Sequence, residues 1–171
     1  QIDTPYTNIS WFYPLVFLAL VSVVVLIQFA SGAYQSEFGS HPDEPAHVVT
    51  GLMVHDYLAS FSWFSPMRFA EIYYLHYPKI GFGHWPPVFY CLQAVWMSIF
   101  GATRLSLLLL MAGFCTGLAV MLYTTARRCF APLLSCIPVV GLLCLPVVQQ
   151  STTAVMIDLP LTVFVFAATI T

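Results

Sequence analysis

Long apolar runs separated by one extended polar segment set the pattern of this chain. That pattern predicts helices that cross a bilayer, each needing about 20 apolar residues. The first run extends from Trp11 to about Ala33, with Trp11, Tyr13 and Tyr34 as interfacial aromatics. It is too long for a signal-peptide core, and no cationic segment precedes it. A second run covers about Leu105 to Tyr123 and is closed by Arg127 and Arg128. A third covers about Leu133 to Val148, with Pro138 and Pro146 inside it, which neighbouring helices can accommodate. A fourth begins near Leu159 and continues to Thr171.

The segment 34–104 is the polar exception. It holds five of the seven acids, all five histidines, and Arg68, Lys79 and Arg104. Asp43 to Ser60 has helical periodicity, with Glu44, His47, Gly51 and His55 on one face and Val49, Met53 and Tyr57 on the other. Its start, His41-Pro42-Asp43-Glu44-Pro45, carries an acid at the cap and proline in the first turn. A second helix runs from Val88 to Phe100, opened by Pro86-Pro87 and ended by Gly101. Its length suits an interfacial or re-entrant segment better than a span. With Arg127-Arg128 placed inside by the positive-inside rule, the polar segment becomes one large outer loop. Asp158 then falls on the same outer face as Asp43 and Glu44.

Composition sharpens this reading. Sixty per cent of the 171 residues are hydrophobic and 7% are charged, against roughly a quarter charged in soluble domains. A domain of about 150 residues buries only about 70% of its surface, so the surplus apolar area must meet lipid. Five scattered cations make no basic stripe, which excludes nucleic acid as a partner. Low charge with 16% aromatic residues excludes disorder. Cys91, Cys115, Cys129, Cys136 and Cys144 form no C-x-x-C pair and read as small apolar residues. The fold class expected is therefore all-α and integral to the membrane: a multi-span helix bundle with a large outer loop carrying amphipathic juxtamembrane helices. Gln1 at one end and an apolar run at the other suggest the N-terminal part of a longer protein, inactive alone.

Four groups of residues could carry chemistry. Asp43 and Glu44 are adjacent carboxylates at a membrane surface, fit for a general base or a cation, or simply for capping the helix they begin. Asp158 lies in Met156-Ile157-Asp158-Leu159-Pro160; an acid among apolar residues of a membrane chain is a functional candidate, and it too can cap a helix. Glu44 and His47 stand at Glu-x-x-His spacing, half of a carboxylate metal motif, which leaves a divalent metal open as a minority reading. Lys79, His84 and Arg68 are cations of the outer loop, either balancing headgroup charge or anchoring a phosphate. Asn8-Ile9-Ser10 matches a glycosylation sequon, but this topology puts it inside.

The order of these features resembles the GT-C glycosyltransferases that use polyprenyl-phosphate sugars, in particular the protein O-mannosyltransferase and lipid A aminoarabinose transferase group. The resemblance is carried by a span, Asp43-Glu44 heading a helix, Trp85-Pro86-Pro87-Val88-Phe89-Tyr90, and Phe100-Gly101. Arg104-Leu105, Ala126-Arg127-Arg128 and Ile157-Asp158-Leu159-Pro160 then follow in order. It covers nearly the whole chain after Tyr13, and about the N-terminal third of such an enzyme.

The resemblance implies an enzyme whose catalytic acid in the first outer loop is Asp43, with Glu44 beside it, and whose second outer-loop acid is Asp158. It implies a polyprenyl-phosphate sugar as donor and a lipid, glycan or protein as acceptor, with transfer at the periplasmic or lumenal side of a bacterial inner or endoplasmic reticulum membrane. No cofactor is expected to be required, with a divalent metal at the leaving phosphate as the alternative. Many family members have a basic residue just before the Pro-Pro pair; here Trp85 stands there, with His84 and Lys79 upstream.

Two other classes compete. A transporter or channel subunit would also carry charges facing water, but at mid-membrane, whereas these polar residues cluster in one loop and no paired broken helices are evident. A non-catalytic membrane assembly subunit would need none of this chemistry.

Overall fold

A computed structural model of the chain describes residues 12–39, 41–60, 65–81 and 83–170, the side chains of Phe12 and Tyr13 excepted. Eight helices account for its regular structure, and no strand is found among the described residues. They are α1 (Phe12–Ala30), α2 (Glu44–Ala59), α3 (Pro66–His76), α4 (Pro87–Phe100), α5 (Arg104–Ala126), α6 (Cys136–Cys144), α7 (Pro146–Thr153) and α8 (Asp158–Ile170). Trp11, the expected start of the first span, and the Asn8 sequon lie outside the described residues.

The longest helix is central. α5 begins where Thr103 caps it, the hydroxyl accepting from the Ser106 N–H at 3.2 Å. Leu107, Leu108, Met111, Ala112, Cys115 and Ala119 on α5 are fully buried. Around it pack α1, α4, α6, α7 and α8. α4 lies along α2 and ends at Gly101, whose φ of 81° is a left-handed conformation that a side chain would strain. Val24, Phe89, Leu107, Met111, Val155 and Leu159 join these helices in one core.

Among the described residues, α5 alone is long and apolar enough to cross a membrane by itself. The expected third span is instead two helices, α6 and α7, bent by 66°. The cause lies at Pro146. Its ring lacks an N–H and forces Leu145 into an extended conformation (φ −67°, ψ 125°), so the helix stops and restarts. The apolar parts of α1 (Pro14–Ala30), α4 and α8 are shorter than a full span.

Large apolar side chains remain exposed on these helices. Leu26 (64% exposed) and Phe29 (68%) on α1, and Ile137 (64%) on α6 have nothing polar to offer water. Exposed apolar side chains of this size are suited to contact with lipid or with further protein.

One polar side chain inside this apolar bundle has a clear purpose. Gln28 on α1 is fully buried, and its amide donates to Leu108 O at 2.9 Å and Thr152 O at 2.7 Å, while accepting from the Tyr34 hydroxyl. It fastens α1 to α5 and α7 with charge-free bonds, satisfying a group that would be costly unpaired.

Candidate functional site

The beginnings of α2, α5 and α8 meet at one end of the bundle. Glu44, the first residue of α2, is completely buried. Its Oε1 accepts from Arg104 Nη1 at 3.0 Å and from the Val155 N–H at 3.0 Å, and its Oε2 accepts from the Gly39 N–H at 3.0 Å. Arg104, the first residue of α5, also donates from Nε to Ala33 O at 2.6 Å and from Nη2 to Thr153 O at 3.4 Å. Its guanidinium lies 5.2 Å from the centre of the Phe38 ring. One ion pair thus ties together the end of α1, the loop before α2, the start of α5 and the α7–α8 loop.

That pairing determines what Glu44 can do. Both carboxylate oxygens are occupied by donors, and the side chain has no exposure. It is suited to holding the site together rather than to touching a substrate. Among the described residues, no group of three or more His, Cys, Asp or Glu gathers at metal-binding distance. The Glu-x-x-His spacing places Glu44 against Arg104, while the His47 ring meets Tyr90.

Asp43 differs from its neighbour. It occupies the N-cap position of α2, yet its side chain makes no capping bond, and it is exposed. Asp158 opens α8 and is also exposed, while Leu159 and Pro160 behind it are buried. Capping therefore does not consume the Asp43 carboxylate.

His47 follows one turn along α2, its backbone N–H donating to Asp43 O at 3.1 Å. His47 is 2% exposed. Its Nδ1 is 2.9 Å from the Tyr90 hydroxyl, a pair in which either group can donate. Burial lowers the His47 pKa below the ordinary imidazole value, partly opposed by the negative charges of Asp43 and Asp158, with His41 acting in the lowering direction. Glu44 accepts from the Val155 N–H, three residues before Asp158, so the starts of α2 and α8 lie at the same end of the bundle. Burial also raises the Tyr90 pKa, so the phenol keeps its proton.

The aromatic surround of His47 comes from α4 and the turn before it. The Trp85 ring centre is 4.5 Å from that of His47, tilted by 51°, and Phe89 and Tyr90 complete the wall. Gly51, on the same face of α2, lies directly against the Gln93 side chain, where any Cβ would collide. The Glu44–His47–Gly51 face expected from periodicity is thus the one that packs on α4. His55 instead pairs with Asp56 Oδ1 at 2.9 Å, and Tyr73 of α3 donates to Asp56 Oδ2 at 3.0 Å. The opposite face, with Met53 and Tyr57, packs on α3 through a Tyr57–Phe69 ring contact of 5.4 Å.

The candidate phosphate contacts are less tightly gathered. Arg68 sits on α3 and is exposed; Lys79 and His84, also exposed, follow on the loop that leads to Trp85. The His84 ring centre lies 5.9 Å from that of Trp85. His84 is therefore the candidate phosphate contact tied, through Trp85, to the His47 cluster.

Sequence reading did not assign roles to Arg104, Tyr90 or Gln28. Arg104 was visible as an arginine between two apolar segments, and Gln28 as a lone amide in an apolar run, but their partners are distant in sequence. Comparison of the chain with protein-family models, with curated proteins and with solved structures found no match.

Proposed function

We propose that this chain is part of a multi-pass membrane glycosyltransferase of GT-C type, transferring a sugar from a polyprenyl-phosphate donor to a lipid, glycan or protein acceptor. The site lies on the periplasmic or lumenal side, and Arg127-Arg128 lie inside. The observation that supports the reading is that two exposed acids, Asp43 and Asp158, stand at the starts of α2 and α8, which Glu44 ties together through Arg104 and the Val155 N–H. A donor with its tail in lipid and its sugar at the surface requires a site at the end of a bundle, as here.

In this mechanism the Asp43 carboxylate takes the proton of the acceptor hydroxyl or amine as its oxygen or nitrogen bonds to the anomeric carbon. The bond from that carbon to the phosphate oxygen breaks, and polyprenyl phosphate departs with the electron pair. Its charge is met by His84, Lys79 or Arg68. One direct displacement inverts the anomeric centre, without the covalent intermediate of retaining glycosidases. Asp158 flanks the acceptor side, and Glu44 is a positioning residue. With both oxygens of Glu44 engaged, no metal step is assigned to Glu44 and His47.

The test is transfer by the intact protein in proteoliposomes offered a panel of polyprenyl-phosphate sugars. Transfer from at least one, with release of polyprenyl phosphate, is expected. Solute or ion flux across the same vesicles without sugar transfer would instead favour a transporter.

A further inference from the structure

The geometry points to Trp85 as the residue that binds the donor sugar ring, an inference that rests on the glycosyltransferase reading above. In a displacement the sugar lies between the base and the leaving phosphate, and Trp85 touches a residue next to each. Its indole meets the ring of His47, one helical turn from Asp43. It also meets the ring of its chain neighbour His84, the exposed residue that the glycosyltransferase reading sets at the leaving phosphate.

The seat of the indole is built for it. The benzo edge, at Cζ3 and Cε3, presses on Gly81 so closely that a Cβ at position 81 would overlap the ring. Gly81 is itself fixed to α2, its N–H donating to Thr50 Oγ1 at 3.0 Å. The ring is thereby held firmly while remaining only partly buried. The indole packs against the core that contains Phe89 and Tyr90, and the part that stays accessible is free to meet a ligand. An aromatic face carries negative charge density that attracts the polarised C–H groups of a pyranose. It also favours the positive charge that develops on the ring as the glycosidic bond breaks.

The experiment compares affinity for two lipids: the polyprenyl-phosphate sugar transferred fastest by the wild type, and bare polyprenyl phosphate. The ratio of the two isolates the sugar. In intact protein, Trp85→Leu should reduce the ratio by about three- to tenfold and leave bare polyprenyl phosphate binding unchanged. Trp85→Phe, which keeps an aromatic face, should retain most of it. Gly81→Ala should act like Trp85→Leu by displacing an unaltered indole; it also covers the case in which Trp85→Leu fails to fold. A structural role alone would weaken binding of both lipids equally, and that result overturns the assignment. So does a Trp85→Leu protein that keeps the wild-type ratio while transferring sugar. A wild-type protein that transfers no lipid-linked sugar would overturn the glycosyltransferase reading first, and this one with it.

Discussion

Glu44 and Arg104 form a buried ion pair, 3.0 Å between Oε1 and Nη1, that joins the start of α2 to the start of α5. The Glu44 side chain is 0% exposed and that of Arg104 11%. Removing one partner leaves the other charge buried without compensation, which costs about 3–5 kcal/mol. Arg104→Ala should therefore lower the unfolding temperature strongly. Glu44→Gln should cost less, because a neutral amide still accepts from the Val155 or Gly39 N–H. Thermal unfolding in detergent checks both, and Arg104→Lys should fall between wild type and Arg104→Ala, since lysine cannot reproduce the forked donors.

The same ion pair has a topological consequence. Glu44 accepts from Val155, and Arg104 reaches Thr153 O, so the α7–α8 loop and the Asp43 loop share one end of α5. Arg127 and Arg128 follow the other end of that helix. In a background without native cysteines, Ser36→Cys and Thr153→Cys should both react with an impermeant thiol reagent on intact cells. Cys129 restored alone should not. Labelling of Ser36→Cys but not Thr153→Cys would contradict the arrangement.

His47 predicts a pH dependence of stability. Burial holds its folded pKa below the ordinary value, so the unfolded chain binds the proton more readily. The contribution is present above the unfolded pKa of about 6.5 and is lost as pH falls through and below it. Unfolding midpoints measured from pH 8 down to pH 5 should fall on the acid side. His47→Gln should flatten that fall, though it also alters the bond to Tyr90.

Gly51 and Gln93 make the closest approach of α2 to α4. Gln93 is fully buried, and neither end of its amide finds a partner among the described residues. Gly51→Ala should destabilise by about 1–3 kcal/mol, since the added methyl meets the Gln93 side chain. Gln93→Met keeps the volume and removes the unpaired amide. It should stabilise by about 1 kcal/mol, as urea or thermal unfolding would show.

Local signals were readable where proline, glycine and cap residues punctuate the chain. Pro86-Pro87 and Gly101 bracket α4, and Arg104 begins α5 one residue before the expected Leu105. The break at Pro146 was also written in the sequence, but the apolar run around it outweighed the proline in the single-span reading. α3 went unforeseen although Phe69, Tyr73 and Tyr77 recur at four-residue spacing behind Ser65-Pro66, with ring contacts of 5.8 and 4.9 Å. Nothing local announces that Glu44 meets Arg104 and Val155, or that Trp85 seats against Gly81. Those pairings follow from how helices distant in sequence pack. The separate fates of Asp43 and Glu44, one exposed and one enclosed, likewise depend on which side of α2 the rest of the bundle covers.

The central claim is that Asp43, and not its neighbour Glu44, removes the acceptor proton. Its most direct measurement is the rate of sugar transfer by the intact protein and by Asp43→Asn, in proteoliposomes with saturating polyprenyl-phosphate sugar. A general base contributes about 100- to 10,000-fold. Asp43→Asn should therefore lose at least about 100-fold in turnover, with donor binding and unfolding temperature unchanged. Turnover by Asp43→Asn at the wild-type rate would contradict the account.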